Sequence, residues 1–169
     1  MTIDELKQQI NEAKWFANLG HFQEEEGKIA IRTLAAWRSE ATVADEYHER
    51  VAERMRWLPS QSSDEDPIHG SSLKELAKKN GTGAELTKYS LEAYKLTLAS
   101  LRSVPANPLL KIGPHDFNLS ARNAAAYAAR MAASEVVTER QGFWCSMFKL
   151  FSEGYFPCGI MPDGQVVVF

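Results

Sequence analysis

The sequence predicts a mostly α protein, a single helical domain over residues 1–169 with six or seven helices and a small C-terminal β-hairpin. Three observations support this. Apolar residues recur at three- and four-residue intervals along most of the chain, capping boxes open several of those stretches, and the tail changes to a turn followed by a β-branched run. With 169 residues, 44% of them apolar, 24% charged and a formal charge of −3, the composition is that of a globular domain. A chain of this size buries roughly 70% of the surface its unfolded form exposes, enough for a core without disulfides or metal.

Thr2 with Glu5, Ser72 with Glu75 and Thr82 with Glu85 each pair a hydroxyl at an N-cap position with a carboxylate three residues on, where both can satisfy orphan backbone N–H groups. In the first helix, about 3–18, Ile3, Leu6, Ile10, Ala13 and Ala17 share a face, and Gly20 stops it. A second helix, about 22–40, carries the stripe Ala30, Leu34, Trp37 and Ala41. Its first turn holds Glu24, Glu25 and Glu26, where the helix dipole favours negative charge. The third, about 42–58, repeats Val43, Tyr47, Val51, Met55 and Leu58 and ends at Pro59. Residues 60–71 are poor in apolar side chains and rich in turn formers, which predicts an acidic surface loop.

A short helix, about 72–79, breaks at Asn80-Gly81-Thr82-Gly83, and a long one spans about 83–102. It has two apolar stripes, Leu86, Tyr89, Ala93, Leu96 and Leu91, Tyr94, Leu98, Leu101, so more than one face must be covered. Three prolines and a glycine exclude regular helix from 103–117, a connection expected to be pinned by Leu109, Leu110 and Ile112. From about 118 to 139 alanines leave two faces nearly smooth, the pattern of a tightly packed core helix against neighbours such as Trp37 or Leu98. After Gly142, a last helix of about 143–153 leads to the expected hairpin over about 155–169, turning at Pro162-Asp163-Gly164.

Charge is uneven. Residues 1–70 hold 8 Lys+Arg against 14 Asp+Glu, a net of −6, and residues 71–169 hold 11 against 8, a net of +3. The acidic half would repel a phosphate backbone and the basic residues of the other half are scattered, which argues against nucleic acid and for matching to a protein surface. No apolar run approaches the 18 or so residues of a membrane span, and two cysteines without a secretory signal point to the cytoplasm.

The densest feature is aromatic. Phe143, Trp144, Phe148, Phe151, Tyr155 and Phe156 are six of seventeen aromatics. Packed inside, they would complete the core over the alanine helix. Partly exposed, they would anchor a partner, and Tyr155, Phe156, Pro157 and Cys158, between the last helix and the hairpin, are the candidate partner-binding residues. The edge of Val166–Phe169 would add docking by strand addition.

Catalytic chemistry finds less support. Cys145 and Cys158 lie thirteen apart, outside any Cys-x-x-Cys spacing, and no histidine is near either in sequence. The alternative is a metal-dependent helical hydrolase. Asp45, His48 and Glu49 could share a helical face at three- and four-residue spacing, with Glu135 and Glu139 answering from another helix. His115-Asp116 resembles the dipeptide of the HD metal-dependent phosphohydrolases, which are also helical, in those two letters alone. The resemblance implies metal ligation, whereas Asp116 placed before a helix reads as its cap.

No phosphate loop, Ser-His-Asp order or dinucleotide fingerprint is present. The sequence therefore favours a non-enzymatic, cofactor-free cytoplasmic protein that neutralises or tethers a protein partner. Toxin neutralisation is one specific version, and a second copy of the chain is another form the partner could take.

Overall fold

A computed structural model of the chain describes residues 1–19, 70–112, 115–160 and 166–168. Among them are five α-helices: α1 (Ile3–Glu12), α2 (Gly70–Lys79), α3 (Gly83–Leu101), α4 (Asn118–Val137) and α5 (Phe143–Ser152). Five helices among the described residues correct the expected six or seven. The helices expected at about 22–40 and 42–58, and the acidic loop up to residue 69, lie outside the described residues.

The C-terminal hairpin is corrected too. Beyond α5 the chain forms a pair of short extended segments, Pro157–Ile160 and Val166–Val168, whose antiparallel alignment slips between Pro157 and Gly159. Only this short, register-shifted pairing is present, so a regular hairpin is not seen among the described residues. The turn at Met161–Gly164 lies outside them.

At the centre are α3 and α4, which share the most extensive contact between elements. Alanine permits it. Ala121, Ala124, Ala125, Ala128, Ala129, Ala132 and Ala133 are all buried, so the helix surface is smooth enough for bulky neighbours to lie close on several sides. Facing it, α3 buries Leu86, Ser90, Ala93, Thr97 and Leu101 as one stripe. The second predicted stripe is only partly covered, since Leu91 is exposed and Tyr94 and Leu98 are half-buried. Arg122 of α4 donates to the carbonyls of Leu101 (3.1 Å) and Val104 (2.6 Å), placing a cation at the negative end of α3.

The Thr2–Glu5 capping box forms in full. Thr2 Oγ1 accepts from the Glu5 N–H at 3.2 Å, and Glu5 Oε2 accepts from the Thr2 N–H at 2.7 Å. The other two boxes do not. Helix α2 starts at Gly70, which puts Ser72 inside its first turn, and the Thr82 hydroxyl turns back to the Ala77 carbonyl instead of capping α3.

Helix α1 ends at Glu12, short of the expected 18, where Ala13 turns extended (φ −63°, ψ 138°), and both Trp15 and Phe16 beyond it are buried. Leaving the helix, with Phe16 at φ 60, sends Trp15 edge-on to Phe148 and Phe16 edge-on to Phe156. The Trp15 indole N–H donates to Ser100 Oγ at 2.8 Å, fixing this corner to α3. On the other side, the Lys14 N–H donates to the Ser152 carbonyl and the Asn18 N–H to the Gly154 carbonyl.

Candidate functional site

The aromatic segment resolves first. Phe156 is 1% exposed, with its ring edge-on to Phe151 at 5.6 Å between centroids, and Pro157 is also buried. Trp144, Phe148 and Phe151 are buried as well. These rings are core, which removes Phe156 and Pro157 from an exposed anchor patch. Tyr155 is half-buried, with its N–H donated to the Leu150 carbonyl, and the side chain of Cys158 lies outside the described residues.

Chemistry-bearing residues come next. Asp45, His48 and Glu49 lie outside the described residues, as does the His115 side chain. Asp116 acts on its own backbone: Oδ1 accepts the Asn118 N–H at 2.9 Å and the Asn118 amide at 2.7 Å. Those two bonds, helped by Lys111, hold the Asp116 carboxyl below the usual carboxylate range. These bonds brace the turn into α4, whose N-cap residue is Phe117 with no side-chain cap bond, so Asp116 lies one residue before the capping position expected for it. Among the described residues, no group of three or more His, Cys, Asp and Glu is arranged to hold a metal ion.

Glu135 and Glu139 do not face a common site. Glu139 is exposed at φ 55, just past the end of α4. Glu135 is 3% exposed, and its carboxylate accepts the N–H groups of Gly142 (3.0 Å), Trp144 (3.0 Å) and Cys145 (2.9 Å) at the start of α5. Burial first, then the charge of Glu135, pushes the Cys145 thiol up to about 12, so it stays protonated and unreactive at neutral pH.

The feature that projects outward lies between α3 and α4. Asn107 organises it. Its Oδ1 accepts the Leu109 N–H, its Nδ2 donates to the Phe16 carbonyl, and its own N–H donates to Asn118 Oδ1 at 2.7 Å. Asn118 Nδ2 returns a bond to the Asn107 carbonyl. The one polar side chain of Pro105-Ala106-Asn107-Pro108-Leu109 is thus used internally, while Pro105, Ala106, Pro108 and Leu109 are exposed. Leu109 is 42% exposed and Leu119, in the first turn of α4, is 70% exposed.

Of the three residues expected to pin this connection, Leu110 does so, buried at the end of the 3-10 turn Pro108–Leu110 with its carbonyl accepting the Phe117 N–H. Leu109 is exposed, and the Ile112 side chain lies outside the described residues. Leu119 falls two positions before buried Ala121, about 200° around the helix from it.

The chain matches no protein-family model and no curated protein. No helix among the described residues is long and apolar enough to cross a membrane.

Proposed function

We propose that the protein is a non-enzymatic, cytoplasmic interaction protein that neutralises or tethers a protein partner, and that the partner seats on the α3–α4 connection. One observation carries this reading: Leu119, 70% exposed, and Leu109, 42% exposed, stand on a hydrogen-bonded frame made by Asn107, Asn118 and Asp116. Exposed leucines scattered singly need no explanation. Here Leu109 lies in the connection, with Pro105, Ala106 and Pro108 also at the surface, and Leu119 lies in the first turn of α4 next to Asn118. Both stand beside the braced frame, so little conformational freedom remains to be lost on binding. Toxin neutralisation remains one version of this reading, with the partner supplying a complementary apolar pocket.

The test compares the wild-type protein with the Leu109→Ser, Leu119→Ser double variant and with Lys95→Ser, an exposed change on α3. Each is immobilised and the proteins retained from cytoplasmic extract are quantified. The expected result is a partner held by wild type and Lys95→Ser and weakened at least about tenfold by the double variant, whose stability changes by under about 0.5 kcal/mol. Equal retention by all three would overturn the assignment. Light scattering over a concentration series identifies a second copy as the partner if the wild type alone self-associates, which would replace tethering of another protein.

A further inference from the structure

We draw no further inference here: the strongest candidate, the buried Glu135–Cys145 cluster where α4 meets the first turn of α5, is a helix N-terminus already satisfied by the protein's own carboxylate beside a single protonated thiol, with nothing in the structure that points to a ligand.

Discussion

The Glu135 carboxylate accepts the backbone N–H of Cys145 at 2.9 Å, although the two residues belong to successive helices. Gly142, at the N-cap position of α5, has no side chain to bond the orphan donors of that helix. Glu135 reaches across and takes three of them, bringing its charge to the positive end of the helix dipole. The junction of α4 and α5 depends on this one buried anion.

Replacing Glu135 therefore exposes the energetics directly. Glu135→Ala leaves buried N–H groups without a protein partner and is expected to destabilise by about 3–5 kcal/mol. Glu135→Gln keeps one oxygen acceptor and should cost less, about 2 kcal/mol. Urea denaturation monitored by circular dichroism measures both, and equal, small losses would show that the junction does not rely on the carboxylate.

Gly154 sits where the 14–18 turn approaches α5. A Cβ there would lie 2.8 Å from the Lys14 carbonyl oxygen and 3.1 Å from the Asn18 nitrogen, and φ is +99°. Gly81 has φ +74° but open space around it. Gly154→Ala should cost about 3 kcal/mol or more, and Gly81→Ala only about 1 kcal/mol, the conformational part alone. Thermal melts of the two variants decide this by their ranking.

Thr97 lies in the α3 stripe facing α4, 0% exposed, with no hydrogen-bond partner for its hydroxyl. Thr97→Val removes an unsatisfied polar group at nearly constant shape and should stabilise the fold by about 1 kcal/mol. A higher urea midpoint at unchanged slope is the expected readout. A lower midpoint would mean the hydroxyl is satisfied in solution.

For Cys145 the sign comes from proton counting. The thiol's reference value is 9.0 and burial in the fold raises it to about 12. Between those values the folded chain holds a proton that the unfolded chain has lost. This contribution to stability is complete below about pH 9 and declines as pH rises toward about 12. Cys145→Ala should show a shallower alkaline loss of stability than wild type, and the native thiol should resist iodoacetamide at neutral pH. Parallel alkaline profiles, or rapid labelling of the folded protein at Cys145, would contradict the burial argument.

Much of the helical body was legible. Apolar and alanine spacing at three- and four-residue intervals, with glycine breaks, located α3, α4 and α5 to within a few residues, and the Thr2–Glu5 box opens α1 at the expected residue. Local chemistry suffices there, because a cap and the helix it opens lie within one turn of chain. Thr82 shows the limit: it occupies the N-cap position of α3, yet its hydroxyl bonds the preceding helix, a choice made by where Ala77 lies in space. The candidate site was less legible. Aromatic density drew attention to Phe156, which is core, while Leu109 sits in a proline-rich connection that has no periodicity to read and Leu119 at the very start of α4.

By itself the sequence determined a helical body with an alanine-faced helix at its centre, since helical periodicity and side-chain size are local properties that survive any arrangement of neighbours. Only the tertiary structure decided which rings are inside, which leucine of Leu109 and Leu110 faces out, and that Glu135 caps a helix other than its own. Each of those depends on which distant groups compete for the same buried space and the same N–H donors, and that competition is settled when the helices pack.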